Sequence, residues 1–461
     1  MSGHSGIPPM ADVADSLVLG YCATPPPPIS SLPNELLAEI FERGRSKGRS
    51  PHPKTKLPFE VHISHVSRRW RDVAINLPCL WTNIHIYTTL LWIGEYLERS
   101  RSCNLDLLIS LWDTEYIEDI NKRAERIDYI LNLLLPHVDR WSSFALEGCY
   151  EQSVYMALSR LHHLRAPALR KLTITFEDMM DSLVGTNFSS QIFTDGAPLL
   201  THARLDMLRC CWPPLNTLTS LDLLQPHRSE LVYNRFLQTL TTSQCLTRLC
   251  LQARDIVYDC WRLDRYTTKQ LPTLRSLQLI QMSYLTSSLL LAVSAPQLES
   301  LQLEGIESNH LSAFCEAPCG ALKFPALQFL TLKAVYFQPG SYIDLCRVIP
   351  TITHLTIVSM YDIDKLFRSI GERHPLEGRS SDGPIWPYLQ TIVIHSVEDH
   401  DGRLDLLGLH LCEMISARIT MRRPIQKLVL EAELLSAVER LDLLRGRVVV
   451  EEWNDDYDDE S

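Results

Sequence analysis

Apolar residues return in one short pattern along most of the chain. In TLRSLQL (273–279) and QLESLQL (297–303), leucines stand at positions n, n+3 and n+5. Positions n+3 and n+5 are two residues apart, so in a β-strand their side chains point to one face and the polar residues between them point to the other. Each segment therefore predicts a short strand with one apolar face and one polar face.

This pattern recurs at a nearly regular distance. The spacing averages about 28 residues, and an L-x-x-L-x-L core at that period is the signature of a leucine-rich repeat. The copies span 168–174, 200–206, 218–224, 245–251, 273–279, 297–303, 326–332, 351–357, 388–394 and 424–430, and residues 81–86 and 141–146 fit the same template. The pattern predicts an α/β fold: a leucine-rich-repeat solenoid (horseshoe) over residues 87–450, with a curved parallel sheet and irregular first units.

The polar positions of these strands form the predicted inner, concave face of the solenoid. The candidate substrate-binding residues on it are Arg204, Asp206, Asp222, Arg248, Gln278, Gln302, Glu304, Lys333, His354 and His395; Lys171, Gln252, Thr331 and Lys427 complete the face. Both signs of charge are interspersed, with no acidic or basic stripe. The face therefore favours a protein partner over a nucleic acid.

Before residue 86 the apolar period is helical. In SSLPNELLAEIFERG, Ser31 and Pro33 are helix-start signals, and the apolar residues Leu36, Leu37, Ile40 and Phe41 follow at helical spacing. Such a broad apolar face on a short helix needs both its own small core and a second partner. Gly44 is predicted to end this helix.

A second helix is predicted in HVSRRWRDVAINLPCLW (65–81) and the residues just before it. The apolar residues that fall within one arc of about 100° are Ile63, Val66, Trp70, Val73, Ala74 and Leu77. Arg68 and Arg71 lie on the far side, and Pro78 ends the helix. Trp70 is therefore predicted to anchor a core, and the arginines are predicted to face solvent rather than a nucleic acid.

Charge and composition set three segments apart. The chain has 461 residues and a net charge of −11, but its last eleven residues alone hold seven acids. We expect a disordered proline-rich leader (1–28), a flexible basic insertion (43–56) and a disordered acidic tail (451–461). A nuclear-localisation or phosphate-binding role for the insertion is the less favoured alternative.

The sequence carries no catalytic motif in a suitable context; Gly44-Arg45-Ser46-Lys47-Gly48 matches the G-x-S-x-G of hydrolases, but it lacks the strand and the helix between which that motif works. It has no H-E-x-x-H, P-loop or glycine-rich dinucleotide turn, and its 13 cysteines are scattered without C-x2-C pairs. No apolar run has the length of a membrane helix, and no secretory signal precedes the first helix. The sequence predicts a non-enzymatic protein without cofactor or metal, located inside the cell in the cytoplasm, the nucleus or both.

Three blocks in order carry a family resemblance: LPNELLAEIFE (32–42), VSRRWRD (66–72) and LPCLWTNIHI (77–86). Together they resemble an F-box of the kind common in fungi, a three-helix domain over residues 29–86. The resemblance implies docking on the Skp-type adaptor of a cullin–RING (SCF-type) ubiquitin ligase, with the repeats holding the protein substrate. The residues that it assigns to the adaptor contact are Leu32, Pro33, Leu36, Ile40, Phe41, Val66 and Trp70. A leucine-rich-repeat scaffold acting outside a ligase remains the alternative.

Overall fold

The chain forms two compact units, Met1–Trp81 and Thr82–Ser461, called here the helical unit and the sheet unit. The computed structural model describes residues 28–46, 57–86, 92–110, 120–149, 157–176, 191–206, 212–224, 238, 240–252, 268–317, 323–360, 362–374, 383–397, 404–441, 444 and 446–454. Most of the predicted leader, residues 47–56 of the basic insertion and residues 455–461 of the tail lie outside them. The boundary between the two units lies after Trp81, five residues before the predicted boundary after residue 86.

The described residues of the helical unit form three α-helices. These are α1 (Asn34–Ser46), α2 (Phe59–Ser64) and α3 (Arg68–Ile75), with 3-10 turns at Pro28–Ser31 and Pro78–Trp81. Trp81 is buried, and its indole nitrogen donates a hydrogen bond to the Ala74 carbonyl at 2.8 Å. This bond fixes the last turn of the unit against α3.

Helix α1 does not end at Gly44, as the sequence predicts, but continues to Ser46. A Cβ atom on Gly44 would stand 2.6 Å from Cζ of Phe59, the first residue of α2. A larger residue here would have to displace the Phe59 ring, so Gly44 marks a close approach of α1 to α2 rather than the end of the helix.

The single helix predicted across residues 63–77 is also wrong, since the chain breaks it into α2 and α3. Ser67 is extended (φ −157°, ψ 167°), and its hydroxyl accepts a hydrogen bond from the Trp70 amide at 3.1 Å. This N-cap starts a new helix and outweighs the continuous apolar period. Val66 consequently leaves the predicted inner stripe and is 60% exposed, whereas Ala74 is fully buried.

The sheet unit is built on one 14-stranded parallel sheet whose strands follow one another in chain order. The strands are β1 (Asn83–Ile86), β2 (Leu105–Ser110), β3 (Trp141–Cys149), β4 (Lys171–Phe176), β5 (His202–Asp206), β6 (Ser220–Leu224), β7 (Arg248–Gln252), β8 (Lys269–Gln270), β9 (Ser276–Ile280), β10 (Val293–Ser294), β11 (Ser300–Glu304), β12 (Phe329–Lys333), β13 (His354–Val358), β14 (Thr391–His395), β15 (Lys427–Leu430) and β16 (Val449–Glu452). Strands β8 and β10 pair separately. Every repeated segment yields a strand, so the predicted parallel sheet is confirmed.

Helices connect many of these strands and cover the apolar face of the sheet. They span Ile93–Arg99, Ile120–Leu134, Leu285–Ala292, Ser312–Cys315, Pro339–Val348, Ile363–Gly371, Leu404–Thr420 and Ala432–Leu441. The n+3 and n+5 residues of the pattern, such as Leu277 with Leu279 and Leu301 with Leu303, are buried as predicted. Alternation in the strands thus directs one face into the core and leaves the other polar.

Strand β2 does not fit the L-x-x-L-x-L pattern because its register with β3 shifts by one residue. Leu105 lies opposite Trp141, yet the next residue, Asp106, lies opposite Ser143, so β3 carries one extra residue at Ser142. The Ser142 hydroxyl donates to the Asp106 carboxylate at 2.6 Å and stabilises this bulge. Leu105 therefore fills the first apolar slot although it stands only two residues before Leu107.

The acidic tail begins later than predicted. Glu451 and Glu452 belong to β16, which pairs in parallel with β15. The ring of Trp453 then stacks on His395, with centroids 4.3 Å apart and planes 5° from parallel. Residues 451–454 are therefore part of the sheet unit, and the prediction of disorder is wrong for them.

Candidate functional site

Helix α1 carries two apolar stripes in neighbouring positions. Leu37 and Phe41, four residues apart, are buried at 0% and 1% exposure, whereas Leu36 and Ile40 are 46% and 45% exposed. Residues four apart lie on one side of a helix, so the exposed pair forms a continuous apolar surface. The broad apolar face predicted from the sequence therefore divides into a core side and an outer side.

Phe41 faces the core of the helical unit. Its ring centroid lies 5.1 Å from that of Trp70, with the two rings tilted by 57°. Trp70 is half-buried and retains some outward surface. The prediction that Phe41 contacts an adaptor is corrected here, because a side chain that is 1% exposed has no free surface to offer.

Arg69 of α3 ties down the segment that leads into α1. Its Nε donates to the Asn34 side-chain oxygen at 2.9 Å, and its Nη2 donates to the Leu32 carbonyl. Leu32 is half-buried and Pro33 is exposed, so Arg69 positions two predicted contact residues. No sequence pattern predicts this role, since Arg69 is one of three arginines of similar character in residues 68–71.

A groove of about 670 Å³ lies between α1 and α3. Its lining residues are Asn34, Glu35, Ala38, Arg68, Arg69, Asp72, Val73, Asn76 and Leu77. The exposed stripe residues Leu36 and Ile40 are not among them. The surface of the groove is mostly apolar, as is the stripe, but the two share no residue and are therefore two different surfaces of the helical unit.

The second candidate surface is the polar face of the sheet, where strand pairing aligns the predicted residues in three rows. The first row holds Lys171, Arg248, His354 and Lys427, the middle row holds Arg204, Asp222, Gln278, Gln302 and Thr331, and the last row holds Asp206, Gln252, Glu304, Lys333 and His395. All 14 therefore share one face. Sequence reasoning omitted His202, which alternation also places in the first row, beside Lys171.

Two candidates are on this face but are covered. Asp206 and His395 are both buried, the latter beneath the Trp453 ring. Their prediction as surface contacts for a substrate is therefore wrong. Alternation fixes the face of a sheet to which a side chain points, but it does not show what packs over that side chain.

Several polar residues in the C-terminal half of the face are paired with one another. Lys333 Nζ lies 3.2 Å from Glu304 Oε1, and the Gln302 amide donates to Glu304 at 3.1 Å. His354 stacks on Phe329, with centroids 4.6 Å apart. Burial, and secondarily the nearby charge of Lys427, lowers the pKa of His354 and favours its neutral form.

The N-terminal half of the face contains a different arrangement, centred on Asp222. Burial raises the pKa of this carboxyl, an effect opposed by the positive charges of Arg248, Arg204 and His202. Its neighbour Cys250 is buried, and desolvation, reinforced by Asp222, raises the pKa of the thiol to about 11. Cys250 is therefore a neutral thiol at pH 7 rather than a nucleophile.

Within the described residues, no group of three or more His, Cys, Asp or Glu side chains is placed to hold a metal ion. In the same residues, no helix is long and apolar enough to cross a membrane.

Comparison with known families identifies an F-box-like domain at residues 29–87. No curated protein matches the chain. F-box domains are typically adaptor-binding or substrate-receptor modules, and the match covers the whole described part of the helical unit after Pro28. The matched range contains both the exposed stripe of α1 and the Arg69 contacts.

Proposed function

We propose that this protein is the substrate-recognition subunit of a cullin–RING ubiquitin ligase. The F-box-like domain docks on a Skp-type adaptor, and the sheet unit holds a protein substrate for ubiquitination. The observation that carries the proposal is the exposed pair Leu36 and Ile40, next to the buried pair Leu37 and Phe41 on the same helix.

Burial of the exposed stripe supplies affinity for the adaptor. Covering a large aliphatic side chain is worth about 1.5–3 kcal/mol when the whole side chain leaves water. Leu36 and Ile40 are each about half exposed, so each retains part of that free energy for a partner. Docking an apolar helix face in a hydrophobic groove is a recurrent mode of recognition. Leu32, Pro33, Val66 and the outer edge of Trp70 complete the proposed contact.

The sheet unit is proposed to be a leucine-rich-repeat solenoid. Three observations support this: the L-x-x-L-x-L pattern, its period of about 28 residues, and the pairing of each strand with the next one in the chain. In such arrays the strand face is the usual binding surface. The substrate is then held by the polar face.

The protein itself performs no bond chemistry in this proposal. It raises the effective concentration of the substrate near a ubiquitin-loaded enzyme of the same complex, which is the gain expected from tethering. Such a complex acts inside the cell, in the cytoplasm or the nucleus.

The test is co-purification of the full chain with a Skp-type adaptor. Leu36→Asp with Ile40→Asp places two charges in the apolar contact and is expected to abolish co-purification. The matched control is Leu406→Asp, a leucine of the sheet unit with 54% exposure, which is expected to leave it unchanged. Undiminished adaptor binding by the double variant would overturn the proposal. Adaptor binding without a cullin in the complex would instead favour a scaffold that acts outside a ligase.

A further inference from the structure

Strand pairing gathers positive charge on four neighbouring strands, β4 to β7. Lys171, His202 and Arg248 lie in the first row, on β4, β5 and β7, and Arg204 lies in the middle row of β5. All four side chains are exposed. We call these four residues the basic patch. In the sequence they are spread over almost 80 residues, so only the register brings them together.

One acid stands inside the basic patch. Asp222 lies opposite Arg204 in the middle row, and it is half-buried. Its Oδ1 atom is buried and has no hydrogen-bond partner in the described part of the chain. Two arginines and one lysine against the carboxylate of Asp222 leave a net charge of about +2 on these five residues at neutral pH, before any protonation of His202. The other acid among the described strand residues of this part of the face is Asp206, which is buried in the last row of β5. The chain as a whole carries −11.

The cations of the basic patch differ from other cations of the sheet unit in their pairing. Lys333 pairs with Glu304, and Lys427 with Glu451. Among the described residues, by contrast, Lys171 and Arg204 make no ion pair, and Arg248 reaches only the side-chain oxygen of Gln278, at 3.4 Å. Within the part of the chain that the structure describes, these three cations are therefore not neutralised by ion pairs.

We infer that the basic patch binds an acidic segment of a partner protein, laid across strands β4 to β7. The inference rests on the proposed function in one respect, since it takes the polar face as the surface that receives the substrate. Carboxylate side chains of the partner would meet the lysine and arginine side chains in charge-assisted hydrogen bonds.

The dimensions of the sheet fit such a segment. Neighbouring strands are about 4.8 Å apart, so Lys171 and Arg248 are separated by about 14 Å along the first row. In an extended peptide, every second side chain lies on the same side at a repeat of about 6.6 Å. Acidic residues at i, i+2 and i+4 then span about 13 Å. The outer two reach Lys171 and Arg248, and the central one reaches Arg204.

Substitution of Asp222 tests whether the bound segment is acidic or basic. Its carboxylate repels an acidic ligand, so Asp222→Asn should strengthen binding. A partner that instead placed a cation against the unpaired oxygen of Asp222 would lose affinity in the same variant. The two kinds of partner therefore give opposite results.

The experiment measures fluorescence anisotropy of a labelled peptide of alternating Asp and Ser, titrated with the full chain at low ionic strength. The control peptide has Asn in place of Asp. We expect binding of the Asp peptide alone, weakened about tenfold by Arg204→Gln with Arg248→Gln and tightened about threefold by Asp222→Asn. Lys333→Gln, a cation of the same face outside the basic patch, should leave the affinity unchanged. Added salt should weaken binding.

Four outcomes would overturn the inference. Three are equal binding of the two peptides, equal loss in the Lys333→Gln variant, and weaker binding by Asp222→Asn. The fourth is tighter binding of a single-stranded oligonucleotide than of the Asp peptide, which would assign the patch to nucleic acid instead. Adaptor co-purification, measured on the same Arg204→Gln/Arg248→Gln protein, should be normal. Peptide binding without any adaptor binding would therefore reject the proposed function and retain this inference.

Discussion

In the helical unit, exposed and buried apolar side chains lie next to each other along one helix. In the sheet unit most apolar side chains of the strands are directed into the core, and the outer strand face is mainly polar, with Phe329 as an exposed exception. Leu36 and Leu37 are adjacent, yet the first is about half exposed and the second is fully buried. On β9 and β11 the corresponding pairs are one leucine inside and one glutamine outside. The two units therefore offer partners very different surfaces.

Size explains part of this difference. A three-helix unit with 44 described residues can cover only one side of each helix, while the 14-stranded sheet buries a long continuous core. A partner of the helical unit gains affinity from apolar burial, which depends little on salt. A partner of the polar face gains affinity from charge, which salt screens. Substitutions in either unit can therefore test the difference between the apolar and the polar surface.

The largest effect is expected at a buried cation of the sheet unit. Arg418 is fully buried, and its guanidinium donates to the carbonyls of Ile385, Trp386, Leu389 and Arg423 at 2.9–3.3 Å. Burial lowers its pKa to about 10, so it remains charged at pH 7. Arg418→Leu removes the guanidinium donors from all four carbonyls, of which that of Trp386 keeps a backbone donor, the Leu389 amide, and should lower the free energy of unfolding by about 3–5 kcal/mol.

Thermal and denaturant unfolding of the full chain would measure this loss. Arg447→Leu, at an exposed position of the sheet unit, is the matched control and should change stability by less than about 0.5 kcal/mol. Equal stability of the two variants would show that the segment before β14 does not depend on Arg418.

The next largest effect is expected when the buried stripe of α1 is changed rather than the exposed one. Leu37→Ala opens a cavity in a small core and should cost about 2–5 kcal/mol, enough to unfold most of the helical unit. Leu36→Ala removes an exposed side chain and should cost less than about 0.5 kcal/mol. Hydrogen exchange of peptides from 34–46 would show lost protection for Leu37→Ala only. Similar protection in both variants would contradict the division into a core side and an outer side.

The strands of the sheet could be predicted because each copy carries its own local signal. Apolar residues at n+3 and n+5 require one strand face to be buried, whatever the neighbouring copies do, and Leu277 with Leu279 is a typical case. The pattern did not predict features in which one residue overrides the local apolar period. The hydroxyl of Ser67 starts a new helix within a continuous apolar period, and one extra residue at Ser142 hides the template in β2.

Long-range placement could not be predicted from the pattern. The alternation rule assigned Arg204, Asp222 and Arg248 to one face, but their proximity follows from the pairing of β5, β6 and β7. The same holds for Asp206, which shares that face and is nevertheless buried. Charge that is interspersed along the sequence is therefore clustered in the folded sheet.

A smaller effect is expected from the cap between α2 and α3. Ser67→Ala removes the side-chain acceptor of the Trp70 amide and should lower the stability of the helical unit by about 1 kcal/mol. Ser67→Asp keeps an acceptor at the N-cap and should restore most of it. Denaturant unfolding followed by tryptophan fluorescence would compare the two variants. No recovery in Ser67→Asp would mean that the hydroxyl acts through packing rather than through the cap, and that the two short helices are joined by other contacts.

The smallest effect concerns pH and the polar face of the sheet. The pKa of His354 is lowered by burial against Phe329 and by Lys427, so the unfolded chain binds a proton more readily than the folded chain. Stability should therefore fall as the pH drops below the ordinary histidine pKa of about 6.5. His354→Gln should reduce this fall, measured as the difference in Tm between about pH 7.5 and about pH 5.5. Burial also lowers the pKa of His310, so His310→Gln should likewise reduce the fall in stability, and the two variants together should reduce it further. If His354→Gln left the pH dependence unchanged, the His354 imidazole would be as well solvated as the exposed cations of the basic patch. The two halves of the polar face would then not differ at this position.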